Sequence, residues 1–155
     1  MTGGQTGVDR GAMEAALEAG FACGGYCPEG RLAEDGVIPA RYPVQDLPGG
    51  GYAARSEANV KSADGVVVFT PGNPSGGTAL TIEFARRHDR PCRVIDAAGV
   101  EPDEAAERVL DFLAENDIRV LDVAGPRASG WPGGEAYSRA VMTEVIRRAR
   151  SSGPQ

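Results

Sequence analysis

The run GVVVFT, Gly65–Thr70, is apolar without interruption and does not alternate with polar residues. A strand with one wet face alternates; a strand that does not is covered on both faces. Such strands belong to parallel sheets with helices above and below. The rest of the chain carries the matching pattern, in which strand-like and helix-like runs take turns. Further strands are expected at Phe21–Cys23, Cys92–Asp96 and Ile118–Val123. Helices are expected from about Val8 to Ala19, Tyr52 to Ala63, the end of PGNPSGGT to His88, Pro102 to Asn116, and onward to Arg150. Pro102 suits a first helical turn, and Arg147, Arg148 and Arg150 suit a helix C-terminus. Thr6 and Asp9 have capping-box spacing, and Gly20 is a good stop. The expectation is one three-layer α/β domain, Rossmann-like, with a mostly parallel sheet, over 1–150, and a frayed tail over 151–155.

Two stretches resist that scheme. Gly24–Gly51 is rich in Gly and Pro, and a structureless stretch of that length is a functional loop or a misread element. Its first part, Gly24–Pro43, is expected to cover a pocket, with Arg31, Glu34 and Asp35 offering polar contacts. The other is TGGQTGVDRGA, Thr2–Ala12, a glycine-rich loop opening a helix. Such loops follow a buried strand, and here two residues precede the glycines. The strand feeding this loop is therefore expected to be missing, leaving apolar surface or a gap in the sheet.

A chain of 155 residues can bury one real core, and 41% apolar with 25% charged residues is ordinary for a globular protein. Its net charge of −6 argues against nucleic-acid or membrane surfaces, which favour basic patches. Three cysteines make no disulfide framework and the N-terminus has no signal-peptide pattern, so a cytoplasmic protein is expected. Cys23 and Cys27 with one histidine do not make a four-ligand zinc site, and no metal site is expected. His88, beside Arg86 and Arg87, reads as a surface residue, and no nucleophile–histidine arrangement is credible. Tyr26 and Trp131 sit in glycine-rich loops, where they either stack on a ring or pack the loop.

The stronger signal is three glycine-rich turns that precede helices: Gly3–Gly7, Gly72–Thr78 and Gly125–Gly134. In a parallel α/β sheet these turns share the edge at the carboxyl ends of the strands. Glycine permits close approach, and helix N-termini offer free N–H groups with partial positive charge. Any one of these glycines alone is best read as a tight turn. Three turns on one edge point to a phosphate or oxyanion site.

GGQTGVDRGA, GGYCPEGRLAEDGVIPARYP, RSEANVKSADG, GGTALTIEFARR and VAGPRAS, taken in order, resemble the molybdenum carrier family, a circularly permuted YpsA-like branch of the SLOG superfamily. The resemblance spans nearly the whole chain. It implies a Rossmann-like fold, a site for nucleotides or nucleotide-like cofactors, molybdenum cofactor as bound cargo, a homo-oligomer and a molybdoenzyme as recipient. Candidate ligand contacts are then Gly4, Gln5, Thr6, Gly7, Asp9, Arg10, Asn59, Gly76, Gly77, Thr78, Gly125, Pro126, Arg127 and Ser129. A wider resemblance is to the Lonely Guy phosphoribohydrolases, which cleave nucleoside monophosphates at the N-glycosidic bond. Their P-G-G-x-G-T-x-x-E motif is similar to Gly76 through Glu83, although Ala79 and Leu80 replace the later Gly-Thr pair. Their arginine, nine residues before an aspartate, matches Arg55 before Asp64. If the chain is an enzyme, Arg55 and Glu83 are the expected catalytic pair, lining one pocket. A binding carrier is the main expectation, with the hydrolase and a nucleotide or oxyanion sensor as alternatives.

Overall fold

Gly65–Thr70 is buried along its whole length. In the computed structural model, which describes residues 1–151, the chain runs α1 (Val8–Glu18), β1 (Gly25–Cys27), β2 (Leu32–Ala33), β3 (Gly36–Val37), β4 (Val44–Asp46), α2 (Tyr52–Ser62), β5 (Gly65–Thr70), α3 (Gly76–Arg87), β6 (Cys92–Asp96), α4 (Pro102–Glu115), β7 (Leu121–Ala124) and α5 (Gly134–Ser151). β5 is the centre of a parallel sheet in the order β6–β5–β7, with Val66 opposite both Cys92 and Asp122. The period of two along β5 divides the molecule. Val67 and Phe69 face a core built with α1, α4 and α5. Val66 and Val68 face the other way, against Val60 of α2 and Phe84 of α3. The three layers follow directly from a strand apolar on both sides.

α1 and α5 approach closely because α1 presents Ala12, Ala15 and Ala16 to that core. A side chain at Gly11 would lie 2.3 Å from the Glu135 carbonyl, so only glycine fits there. Ser138 Oγ donates to the Val8 carbonyl across the same contact, at 2.8 Å. The expected strand at Phe21–Cys23 is not formed; the strand is β1, a few residues later, paired in parallel with β4. Glycine-rich Gly24–Gly51 is not structureless either. It carries four short strands and a core of its own, in which Cys27, Ile38, Tyr42 and Val44 pack on Met13 of α1. Arg31 staples this region: its guanidinium donates to the carbonyls of Val44 (2.5 Å), Pro39 (2.9 Å) and Tyr42 (3.1 Å). Sequence periodicity misses such elements because they are too short to show one.

No full strand precedes the first glycine loop. Met1 and Thr2 stand in the gap between β7 and β1: Val123 N–H donates to the Met1 carbonyl at 2.9 Å, and Thr2 N–H donates to the Gly24 carbonyl at 3.0 Å. This two-residue stub joins the two parallel pieces edge to edge. Beyond Met1, an apolar groove of about 470 Å³ opens along β7, lined by Met13, Phe21, Val120, Leu121, Met142 and Val145 among others. The expected tail shortens as well: Ser151 belongs to α5, and residues 152–155 lie outside the described residues. Among the described residues no helix is long and apolar enough to cross a membrane.

Candidate functional site

The carboxyl ends of β5 and β7, the N-terminus of α3 and the inner face of α2 enclose a cavity of about 550 Å³. All three glycine-rich turns reach it, through Gly3 and Gln5, through Asn73 to Thr78, and through Gly125 to Arg127. They do not contribute alike.

The first turn has spent the amides of Gly3, Gly4, Gln5 and Thr6. Gly3 and Gln5 N–H donate to Asp9 Oδ2 at 3.2 and 3.3 Å, Gly4 N–H to Thr2 Oγ1 at 3.3 Å, and Thr6 N–H to Gln5 Oε1 at 3.0 Å. Asp9 therefore folds the loop and does not form the expected capping box; α1 starts with no side-chain cap. Much of the third turn is used likewise. Ala128 N–H donates to Thr6 Oγ1 at 3.1 Å, Ser129 N–H to Glu34 Oε1 at 3.0 Å, and Gly130 and Trp131 N–H to the Arg127 carbonyl at 2.9 and 3.1 Å. The glycines here serve chain packing: a side chain at Gly7 would sit 2.6 Å from the Pro126 carbonyl, and one at Gly125 2.4 Å from the Phe69 carbonyl.

The turn before α3 differs. Ser75 makes no side-chain cap, and the first amides of a helix have no acceptor within it. A side chain built at Gly76 or Gly77 meets nothing within 4 Å. These two glycines face open cavity, and Gly76 adopts φ +53 as well. Free N–H groups, the positive end of the α3 dipole and an unobstructed approach together make an anion cradle.

Arg55 reaches into the same cavity from α2. Its Nη1 meets Asp9 Oδ2 at 3.1 Å, with the two side chains 12% and 8% exposed. Gly3 permits that passage, because a Cβ there would collide with the guanidinium. Arg55 Nε is buried without a hydrogen-bond partner. Burial pushes the Asp9 carboxyl upward, against the pull of Arg55. Tyr52, one turn before, leaves its ring at the cavity mouth, 44% exposed and 5.8 Å from the guanidinium. Asp122 lines the floor; burial raises it to about 7, with the Met1 ammonium and Arg55 opposing and Asp9 reinforcing.

Several sequence candidates go elsewhere. Glu83 does not line the cavity. It is held on the surface by Arg86 and Arg87, with Arg86 Nε donating to Oε2 at 2.9 Å, and this pairing lowers its carboxyl. The expected Arg55–Glu83 pocket is thus not assembled: α3 turns Glu83 away while α2 turns Arg55 in. Arg10 is bidentate to Asp35 at 2.6 and 2.8 Å and donates to the Gly4 carbonyl. Thr6 and Ser129 both donate to Glu34, at 2.5 and 2.6 Å. Glu34 and Asp35 anchor the 24–43 segment to the outside of the first and third turns, and no residue of that segment lines the cavity, contrary to the expected cover. Asn59 borders the cavity, but its amide pairs with both the N–H and the carbonyl of Tyr26, at 2.8 and 3.0 Å, tying α2 to β1. Trp131 packs on Tyr137, centroids 5.4 Å apart, which leaves it as loop packing. His88 pairs with Glu57 at 2.8 Å. Sequence reasoning missed Asp122 and Tyr52; an acid inside IRVLDV was the available signal for the first.

A parallel sheet between helical layers, with an open helix N-terminus at the carboxyl edge, defines a Rossmann-like α/β domain. The chain belongs to the circularly permutated YpsA SLOG family, whose model matches residues 1–146. It is similar to a crystal structure of a protein from Syntrophus aciditrophicus SB described as a "putative molybdenum carrier protein", at TM-score 0.90 and 36% identity, covering 94% of this chain and 92% of that one. No curated protein matches the chain.

Proposed function

We propose that this protein is a binding protein for a phosphorylated, nucleotide-like ligand, which it holds as cargo. The observation that carries the reading is the open α3 N-terminus, where Gly76, Gly77 and Thr78 face a cavity that a side chain would enter unopposed. Phosphate is the anion best matched to several convergent N–H groups beside a guanidinium. The described likeness to a molybdenum carrier makes molybdenum cofactor, a phosphate on a pterin, the first candidate, with a molybdoenzyme as recipient and the cytoplasm as the place of exchange. The hydrolase alternative loses support because Glu83 is paired outside the cavity.

Mass spectrometry of ligand retained by gently purified protein tests this reading. A phosphorylated pterin is the expected result. Retention of neither pterin nor nucleotide, with inorganic phosphate bound equally by the parent and by Gly77→Val, overturns it.

A further inference from the structure

The cavity is lined by two chemically opposite sets of groups. Gly76–Thr78 and the dipole of α3 favour negative charge. The floor carries Asp122, 3% exposed, with Asp9 near enough to raise its proton affinity. Asp122 lies on the face of the sheet that looks toward α2 and α3, in one row with Val66 and Cys92 across β7, β5 and β6. Its neighbours on that face are apolar, and among the described residues its carboxyl has opposite charge nearby, from Met1 and Arg55, but no hydrogen-bond donor. A phosphate placed there would meet two acids. A ligand group that donates hydrogen bonds would meet an empty, desolvated acceptor.

We propose that Asp122 reads the end of the ligand opposite its phosphate, by accepting two adjacent hydrogen bonds from it. This inference rests on the anion-binding reading above and deepens it. Once ionised, a carboxylate has two acceptor oxygens in one plane, which matches a pair of neighbouring donors, so a ligand that donates such a pair draws the proton off Asp122. Two ligand groups present such a pair: the ring N–H and exocyclic amine of a 2-amino-4-oxo heterocycle, shared by guanine and pterins, and the cis-diol of ribose. Either satisfies the buried carboxyl, which otherwise stays in the cavity with its acceptor capacity unused. Arg55 lines the same cavity, its Nη1 committed to Asp9 and its Nε without a partner. It holds Asp9 in place, and its charge favours the ionised form of Asp122.

The test compares guanosine 5′-monophosphate with inorganic phosphate by calorimetry at a pH above about 8, where Asp122 is ionised, on the parent and on Asp122→Asn. The change is nearly isosteric, and circular dichroism checks that the variant is folded. Guanosine monophosphate is expected to bind the parent about 10-fold or more tighter than phosphate, as a good bidentate pair supplies. Asp122→Asn is expected to erase most of that advantage and leave phosphate affinity unchanged. Inosine monophosphate lacks the exocyclic amine, and 2′-deoxyguanosine monophosphate lacks one hydroxyl; whichever loses the advantage in the parent identifies the donor pair. The inference is overturned if phosphate binds and guanosine monophosphate gains nothing over it, or if the gain survives in Asp122→Asn. If neither phosphate nor guanosine monophosphate binds, the anion reading fails first and this one with it.

Discussion

Glycines in this chain divide by what a Cβ would meet: backbone at Gly7, Gly11 and Gly125, and nothing within 4 Å at Gly76 and Gly77. At Gly77 a side chain enters empty space, so Gly77→Val is expected to fold with a melting temperature within about 2 °C of the parent. It places a branched group over the free amides, and phosphate or nucleotide affinity should fall about 10-fold or more in titration calorimetry. A folded variant with parental affinity would move the anion site elsewhere. Asp122 makes a second, independent prediction. The folded chain keeps its proton to about pH 7, whereas an unfolded aspartate releases it near pH ~3.9. Between those values the folded state binds more protons, so stability falls as pH rises from about 4 to about 7. Asp9, also raised by burial, acts in the same direction, with Arg55 opposing it. Asp122→Asn removes its share of this cost. Its melting temperature should exceed that of the parent at pH 8 and converge on it toward pH 4. Parallel curves across that range would show that Asp122 keeps its charge in the fold.

Among elements, the close contact of α1 with α5 is the most sharply determined. Gly11→Ala drives a methyl into the Glu135 carbonyl and is expected to cost about 2–3 kcal/mol, lowering the melting temperature by about 5–10 °C. An unchanged melting temperature would mean that the helices separate freely. The 24–47 region depends on Arg31, whose guanidinium collects loop carbonyls. Arg31→Ala should expose this region to limited proteolysis while phosphate affinity stays parental, because none of its residues lines the cavity. Loss of affinity along with protection would restore the covering role. These elements also mark what the sequence could convey. β5 and the five helices were legible because each repeats a pattern over a long enough run, and burial on both faces of β5 implied the three layers. β1 to β4 span two or three residues each, and their pairing depends on partners distant in sequence, so no local period records them. The convergence of three turns was legible from their place before helices, two of them after strands. Which turn keeps its amides free was not, because that depends on Asp9, Glu34 and Gln5 reaching across the fold. Glu83 matched a motif by spacing, and its surface pairing with Arg86 on the next turn of α3 decided otherwise.

For the whole molecule, the sheet depends on a two-residue splice. Met1 and Thr2 carry the hydrogen bonds between β7 and the start of β1, and their side of β7 continues into an apolar groove of about 470 Å³. A strand-forming segment of about five residues joined ahead of Met1, rich in valine and isoleucine, would lay side chains against Phe21, Val120, Met142 and Val145. Burying two or three such side chains, less the cost of ordering their backbone, is worth about 2 kcal/mol. The extended protein is therefore expected to melt about 4–8 °C higher and to bind less of a dye that reports exposed apolar surface. An extension of serine and glycine of the same length should give neither gain. Equal melting temperatures for the two extensions would mean that the groove closes by movement of α5 toward β7 and accepts no strand.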